Sequence, residues 1–400
     1  MRIVHVTSYQ IPGFGYEEIY LAREQKALGH EVTIVTSNYL HPTGPYAVLS
    51  RRFPQRKIAP CEDESEGVRV IRLASREIGG RVWLGGLERC IAQIQPDVVH
   101  CHNVLQFHPV RLALMKAIGR QPFALVVDEH MQTSIMRTSV GGKLFYRLYG
   151  IVAQPVIGRY VAHYSAKNDD AKRYLETACR VRGPIEVMTL GVDTDRFVAS
   201  NDRRQEWRSL VGIPQDALLY VYAGKLIPEK GPHLLVGAAI KLLQDGTAIH
   251  VAFVGDAESA YLDAMRGRVT RAGLESHFHF QPSVPHSELP PVYAAADVGV
   301  WPRQESMAMF EALSTGVPVI INSSSGYAPI VERGAGLMFD PDNDSSLAQS
   351  MLALTESSRR ERMGAIGRDI VRRSYSWRQC AERYLDVYQR TLEPSAAASP

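Results

Sequence analysis

The sequence is poor in cysteine, lacks long apolar runs and carries almost no net charge. Its apolar runs, such as Phe123–Val127 and Val317–Ile321, are far shorter than the ~20 residues of a membrane-spanning helix. The first residues enter a strand-like pattern without the apolar core and cleavage site of a signal peptide. The cysteines are odd in number and contain no CxxC pair, which excludes a disulfide-built miniprotein and favours a reduced, cytoplasmic setting. The five are Cys61, Cys90, Cys101, Cys179 and Cys380.

The net charge of +3 hides an asymmetry between the two halves of the chain. Residues 1–200 carry 25 Lys and Arg against 19 Asp and Glu, and residues 201–400 carry 20 against 23. Residues 103–165 contain seven basic and two acidic side chains. This excess of positive charge predicts a face toward an anionic membrane or substrate. The alternative is a solvated surface that is only modestly more basic than the rest. The basic residues are too dilute, and too rarely interleaved with aromatic residues, for nucleic-acid binding.

The composition is that of a globular protein of two or three domains, with 400 residues, 45% of them apolar and 22% charged. Short runs rich in Val and Ile alternate with helical patterns, which predicts parallel strands covered by helices on both faces. The pattern restarts after residue 200, and the polar stretch Ala199–Ser209 is predicted to be a linker. The fold class is therefore α/β, with two doubly wound domains whose facing sheets would form a ligand-binding cleft.

The first strand, Ile3–Thr7, leads into a turn that contains Gly13 and Gly15. Glycines at this place let the backbone approach a bound anion, or they serve only a tight strand-to-helix turn. Glu18 stands where the dinucleotide fingerprint needs a third glycine, which disfavours a nicotinamide or flavin cofactor. No cofactor is therefore expected.

The first predicted strand of the later half, Leu218–Ala223, ends in a loop that contains Gly224, Lys225 and Lys230. Two lysines that converge on the start of the next helix predict a pyrophosphate clamp. The alternative is a pair of solvated surface lysines. The position of the loop, just past the carboxyl end of a strand, favours phosphate binding.

A third segment follows the strand Val298–Trp301. The backbone N–H groups of Ser306, Met307 and Ala308 are expected to hold a phosphate or hydroxyl oxygen at a helix start. Glu311 offers a carboxylate that can accept both hydroxyls of a ribose. Glu305 either contacts substrate or simply favours the helix dipole.

Together these motifs resemble family 4 of the retaining, nucleotide-sugar-dependent glycosyltransferases, which have the GT-B fold. The match runs over essentially the whole chain in the family's order. It is carried by Gly29–Thr33, Leu190–Phe197, Gly224–Gly231, Glu305–Ile320 and Ser376–Trp377.

The resemblance implies two Rossmann-like domains that face each other across a cleft. Residues 1–198 would form the acceptor-side domain and residues 199–373 the domain that binds the nucleotide sugar. Residues 374–392 would form a C-terminal helix that crosses back to the first domain, and residues 393–400 a tail.

The resemblance also implies roles for single residues. The glycine turn would approach the donor, and Lys230 would hold its diphosphate together with Lys225, which replaces the family's arginine and so loses bidentate pairing. His130 matches the family's cleft histidine, which contacts the transferred sugar or the reacting centre; its alternative is a polar residue at a strand end. Glu311 matches the ribose ligand.

The spacing of the two glutamates departs from the family. Five residues separate Glu305 from Glu311 where the family has seven, and Arg303 occupies the expected glutamate position. Either Glu305 reaches the sugar from a shortened loop, or that contact is made differently.

No metal site is expected. His100, Cys101 and His102 are consecutive, but successive strand residues face opposite ways, and no third and fourth ligand appears at a suitable spacing. His5, His250 and His279 are predicted to be strand histidines whose hydrogen bonds are satisfied.

The implied reaction moves a sugar from a nucleoside-diphosphate sugar to a hydroxyl of a glycan or lipid-linked acceptor, with retention and without a metal ion. UDP-glucose, UDP-N-acetylglucosamine and GDP-mannose are all compatible donors. The basic, aromatic-rich stretch Lys143–Arg159 predicts peripheral contact with the inner face of the cell membrane, or a helix packed partly on the core. Two alternatives are a catalytically silent nucleotide-sugar-binding protein and a sugar-nucleotide epimerase of the same fold.

Overall fold

The computed structural model describes residues 1–13, 17–42, 53–119, 122–131, 140–303 and 307–393. The chain divides into two compact units. The first contains Met1–Gly191 together with Trp377–Pro400, and the second contains Val192–Ser376. Each unit has a mainly parallel sheet with helices, as the alternating pattern of the sequence predicts.

The first unit is built on an eight-stranded sheet. The strand order is β10-β9-β8-β7-β1-β2-β4-β3, and a separate hairpin pairs β5 with β6. Within the eight-stranded sheet the pairs are parallel, except that β3 runs antiparallel to β4 at the sheet edge. The sequence analysis missed β3 because its residues are mostly polar and exposed rather than apolar. The strands are β1 Arg2–Val6, β2 Glu31–Ser37, β3 Cys61–Ser65, β4 Val68–Leu73, β5 Ser75–Ile78, β6 Arg81–Leu84, β7 Val98–His102, β8 Ala124–Glu129, β9 Val161–Ala166 and β10 Ile185–Val187.

The C-terminal helix packs on the first unit. The indole of Trp377 stacks on Tyr20 with ring centroids 5.5 Å apart. Gly191 lies so close that a Cβ there would be 2.7 Å from the indole, so only glycine leaves room for Trp377. The helices of this unit are α1 Glu17–Ala27, α2 Leu87–Ile94, α3 Phe107–Gly119, α4 Val140–Leu148, α5 Gln154–Tyr160, α6 Asp169–Thr177 and the C-terminal helix α14 Trp377–Leu392, with a π-helical turn at Tyr149–Ala153.

The second unit has a six-stranded, all-parallel sheet in the order β13-β12-β11-β14-β15-β16. The order reverses between β11 and β14, and loops that leave the carboxyl ends of such a strand pair diverge and form a crevice. The loop that contains Lys225 and Lys230, called the lysine loop below, follows β11. The segment that leads to Glu311 follows β14. The strands are β11 Leu218–Ala223, β12 Ile249–Val254, β13 Phe278–Gln281, β14 Val298–Trp301, β15 Val319–Asn322 and β16 Gly336–Phe339.

The predicted linker at Ala199–Ser209 is wrong, because most of it is helical. Ser200 caps the helix by accepting a hydrogen bond from the Arg203 N–H at 3.3 Å, and Gly212 ends it in the left-handed conformation. Trp207 and Arg208 are buried, which anchors this polar helix. The helices of the second unit are α7 Asn201–Val211, α8 Pro232–Gln244, α9 Ser259–Ala272, α10 Pro290–Ala295, α11 Ala308–Ser314, α12 Asp344–Ala353 and α13 Ser357–Ser374, with short turns at Pro228–Lys230, Glu275–His277, His286–Glu288, Ala328–Ile330 and Val331–Ala335.

At Gly364, helix α13 packs against the turn that joins α11 to β15. A Cβ at Gly364 would lie 1.8 Å from the carbonyl oxygen of Gly316, so Gly364→Ala is expected to destabilise the protein by at least about 2 kcal/mol through overpacking. The matched control is Gly267→Ala in α9, where the nearest atom is a flexible arginine nitrogen at 3.4 Å. Helix propensity there predicts a gain of about 0.5–1 kcal/mol. Urea unfolding of both variants measures the difference, and equal effects would contradict the packing argument.

Candidate active site

The backbone of the lysine loop is fixed by contacts with neighbouring strand ends. The carbonyl of Gly224 is pressed against Gly255, where a Cβ would lie 1.9 Å from that oxygen. The Tyr222 hydroxyl donates to the Lys225 carbonyl at 2.8 Å, and the Leu226 N–H donates to the Asp256 carbonyl at 2.9 Å. The loop therefore leaves the sheet in one defined direction.

The two lysines of this loop lie close enough to affect each other. Lys225 is exposed, and Lys230 is half-buried at the end of the turn Pro228–Lys230. Desolvation lowers the pKa of Lys230, and the positive charge of Lys225 lowers it further. Neither ammonium has an ion-pair partner within the part of the chain that the structure describes. An anion bound between two like charges held together in this way would relieve their repulsion.

Glu311 lies on α11 and is nearly buried. Its Oε1 atom accepts a hydrogen bond from Nε2 of His286 at 2.6 Å. The ring of His286 packs on Phe197 with centroids 5.3 Å apart, and Ser314 donates to the Phe197 carbonyl at 2.7 Å. The sequence analysis did not find His286, because nothing in its local pattern indicates a partner 25 residues away.

The other predicted residues of the second unit are only partly described. Met307 precedes α11 and Ala308 is its first residue; both are half-buried. Glu305 and Ser306 lie outside the described residues.

The first unit places Gly13 and His130 after the carboxyl ends of β1 and β8. Gly13 has φ 73°, a left-handed conformation that favours glycine, and Gly15 lies outside the described residues. Solvent reaches the ring of His130, although nearby protein atoms desolvate it enough to lower its pKa. Its backbone is held by the buried Glu129, whose Oε1 accepts from the N–H groups of His130 and Met131 at 3.0 and 2.9 Å.

Beneath these loops lies a buried polar network that the sequence analysis missed. Oδ2 of Asp128 lies 2.9 Å from Nδ1 of His102, 3.2 Å from Nε2 of His100 and 2.9 Å from Nζ of Lys167. Lys167 also pairs with Glu17. Strand ends β7, β8 and β9 and the start of α1 are thus joined by one set of charges.

The C-terminal helix contributes two tyrosine hydroxyls to this network. The Tyr384 hydroxyl lies 2.6 Å from Nζ of Lys167 and 3.0 Å from Oγ of Ser165. The Tyr388 hydroxyl lies 2.7 Å from Nδ1 of His100. Because side chains from β7, β9 and α14 share these bonds, the network fixes α14 against the sheet.

Two groups in this network have the ligand types of a metal site. His100 and His102 lie two residues apart on one face of β7, with Cys101 opposite, and His5 approaches from β1 with Nδ1 3.0 Å from Nε2 of His102. Five of the six ring nitrogens of these histidines are hydrogen-bonded, and Nε2 of His5, for example, lies 2.8 Å from Oε1 of Gln25. The sixth, Nε2 of His100, makes the 3.2 Å contact with Asp128 without the geometry of a hydrogen bond. The second group, Glu17, His102 and Asp128, surrounds the Lys167 ammonium, which supplies the positive charge there.

The three predicted strand histidines, His5, His250 and His279, each bond to another histidine on a neighbouring strand. Nδ1 of His250 lies 3.1 Å from Nε2 of His279 in the second unit, and the bonds of His5 are those just given. These rings satisfy each other on neighbouring strands.

The family models that match this chain both describe glycosyltransferases. The model "Glycosyltransferase Family 4" matches residues 19–196, and "Glycosyl transferases group 1" matches residues 203–370. D-inositol 3-phosphate glycosyltransferase of Geodermatophilus obscurus is 30% identical over 324 residues, which span 77% of this chain and 70% of that one. TuaC of Bacillus subtilis, a glycosyltransferase named for teichuronic acid biosynthesis, is 25% identical over 88% of both chains.

The chain belongs to glycosyltransferase family 4. This confirms the resemblance stated from the motifs. Solved structures agree on the fold: a glycosyltransferase from Rickettsia africae superimposes with a TM-score of 0.71 at 16% identity, covering 98% of this chain and 99% of that one. HepE of Anabaena, solved with UDP-glucose, gives 0.68 at 18% identity over 98% and 100% of the two chains. The GT-B fold, with two Rossmann-like domains, is therefore that of this family member.

The buried network of this glycosyltransferase should make its stability depend on pH. Burial would lower the pKa of His102, but Asp128 and two nearby glutamates together raise it to about 9. The ordinary value is 6.5, so the stabilisation from His102 is full below pH 6.5 and is lost as the pH rises through about 9. Urea unfolding is expected to show this loss in the native protein and a smaller one in His102→Gln.

The control for this experiment is His250→Gln. Burial and two histidine neighbours lower the pKa of His250 to about 4, so its ionisation contributes nothing in the alkaline range. An alkaline loss of stability that is the same in all three proteins would show that His102 is not its cause.

Proposed function

We propose that the protein is a retaining glycosyltransferase that moves a sugar from a nucleoside-diphosphate sugar to a hydroxyl of a glycan or lipid-linked acceptor. The observation that carries this proposal is the pair Lys225 and Lys230, held together at the point where the strand order of the second sheet reverses. A diphosphate is the anion that suits two adjacent ammonium groups at such a point. The second unit would bind the donor, and the first would serve the acceptor.

The lysines would act on the leaving group. As the glycosidic bond breaks, negative charge develops on the departing diphosphate, and fixed cations lower the barrier because they need no reorganisation. Backbone N–H groups of Met307 and Ala308 would add to this stabilisation. Glu311 would accept the ribose hydroxyls, with His286 orienting its carboxylate through Oε1.

Retention follows most simply from a same-face displacement in which the departing phosphate takes the proton of the acceptor hydroxyl. Among the described residues, no carboxylate forms an ion pair or a hydrogen bond with either lysine, and Glu305 remains the proposed contact for the sugar. His130 would contact the transferred sugar from the first unit, and Gly13 and Gly15 would let the backbone approach the donor. The two ammonium groups supply the charge for which other transferases use a metal ion, so we propose metal-independent transfer.

The acceptor proposal is supported by an apolar surface on the first unit. Leu144, Leu148, Ile151 and Val152 recur at helical spacing and are each at least 52% exposed, while Tyr149 is buried on the other face. Between Glu129 and Asp169 the chain has no acidic residue. None of the described helices combines the length and apolarity needed to cross a bilayer. We propose that this surface rests on an anionic membrane, where a lipid-linked acceptor would be found.

The lysine pair is tested by removing each ammonium. Lys225→Ala and Lys230→Ala are each expected to lower the transfer rate at least 10-fold and to weaken binding of the nucleoside diphosphate product, because one charge of the pair is lost. Lys241→Ala is the matched control, since Lys241 lies at the far end of α8 and bonds to Ser345. Binding is measured by calorimetry with UDP, GDP and ADP, and transfer with the matching sugar donors.

Three outcomes of that experiment are informative. Normal transfer in both lysine variants would remove the clamp. Donor binding without transfer to any acceptor would favour a silent binding protein. Formation of an epimer from the donor alone, seen by NMR, would favour an epimerase.

The membrane surface is tested by co-sedimentation with phosphatidylglycerol-containing vesicles. The double variant Leu148→Ser and Ile151→Ser is expected to bind several-fold more weakly, since two exposed apolar groups are lost. Leu210→Ser is the control, because Leu210 is 81% exposed on α7 of the second unit. Equal sedimentation of all three proteins would contradict membrane binding through this surface.

A further inference from the structure

Arg303 follows β14 by two residues, at the position where the family resemblance places a glutamate. Its Nε donates to Oδ1 of Asp342 at 2.6 Å, and its Nη1 donates to the carbonyl of Pro228 at 2.7 Å. Pro228 begins the turn that ends at Lys230. The guanidinium therefore joins the lysine turn to the loop between β16 and α12.

The rest of Arg303 is fixed as well. Nδ2 of Asn322 donates to the carbonyls of Pro302 and Arg303 at 3.1 and 2.7 Å. Gly231, just after the lysine turn, has φ 72°, and a Cβ there would lie 2.9 Å from Cγ of Arg303. Glycine at 231 thus serves both the backbone conformation and the close passage of the arginine.

The ion pair with Asp342 is too exposed to exist for stability alone. The side chains are 34% and 63% exposed, and such pairs contribute at most about 1 kcal/mol. Asp342 also has φ 56°, an unfavourable conformation for a residue with a side chain. What the pair does fix is the direction of the guanidinium toward the Pro228 carbonyl.

The charge of Arg303 extends to the start of the next helix. Burial lowers the pKa of His233, in the first turn of α8, and the positive charge of Arg303 lowers it further. The lysine turn is therefore bordered by a third fixed cation.

We propose that Arg303 is a positioning residue for the donor diphosphate, which holds the turn Pro228–Lys230 and thereby the Lys230 ammonium in place. This inference rests on the proposed function. It gives the arginine a role that a glutamate could not fill, since a carboxylate cannot donate to the Pro228 carbonyl.

The test compares Arg303→Ala, Arg303→Lys, Asp342→Ala and the double alanine variant. Calorimetry measures affinity for UDP and for UMP, and for the guanosine and adenosine pairs. Each alanine variant is expected to weaken diphosphate binding about 10-fold and to leave monophosphate binding within twofold. The double variant should be no weaker than the worse single one, because both act through one bridge.

Arg303→Lys separates geometry from charge. Lysine keeps the charge but lacks the planar fork that reaches Asp342 and Pro228 together, so its diphosphate affinity should resemble that of the alanine variant. Native affinity in Arg303→Lys or in Asp342→Ala would overturn the inference. Arg373→Ala is the matched control, since Arg373 pairs with Asp369 at 2.8 Å on the exposed face of α13.

Failure of the proposed function would look different. If the native protein binds none of the diphosphates, the proposed function fails, and hydrogen exchange of the free protein then decides the role of Arg303. The N–H groups of Lys230 and Gly231, which bond to the Ile227 and Pro228 carbonyls, should exchange at least fivefold faster in Arg303→Ala. Unchanged exchange there would overturn the inference.

Discussion

The second unit holds two ammonium groups that repel each other at one end of its sheet, and its proposed activity depends on this pair. The fold keeps Lys225 and Lys230 together by rigid backbone contacts: the Gly224 carbonyl against Gly255, and the Leu226 N–H on Asp256. No described carboxylate neutralises them. Their repulsion is a cost in the free protein that a bound anion would remove. Under the proposed function, this is how binding energy would be directed at a leaving diphosphate.

In the first unit, a lysine charge at the strand ends is instead paired with charged and polar groups of the protein itself. Lys167 is buried at the carboxyl ends of its strands, and there two carboxylates and a tyrosine hydroxyl surround it. A buried charge must be paired, whereas a charge at an open crevice can await a ligand. Burial raises the pKa of Glu17 to about 7 despite the opposing effect of Lys167, so this carboxylate is costly to ionise and depends on its lysine. The network therefore serves structure, by holding α1 and α14 to strand ends beneath the loop of His130.

The elements that the sequence predicts best are the buried strands. Leu218–Ala223 and Val298–Trp301 have the predicted bounds, because continuous apolar runs have few other structures in a two-domain α/β chain. The polar helix at Asn201–Val211 was missed, since its burial rests on Trp207 and Arg208 alone and its pattern is otherwise that of a solvated segment. Local composition predicts an element well only where many of its residues share one environment.

Side-chain partners are harder to predict than elements, for a related reason. The motif analysis predicts a site at the lysines and Glu311, because their positions after strand ends indicate a shared edge of the sheet. It cannot find that Tyr384 reaches Lys167 across 217 residues, or that Arg303 turns toward Asp342 and Pro228. Such contacts depend on the side-chain direction at a single residue, which no periodicity encodes. Yet the departure at Arg303 is visible in the sequence. We explain it by a contact that needs a hydrogen-bond donor, which a glutamate carboxylate lacks. A break in a family pattern can therefore mark a residue with a different role in the same site.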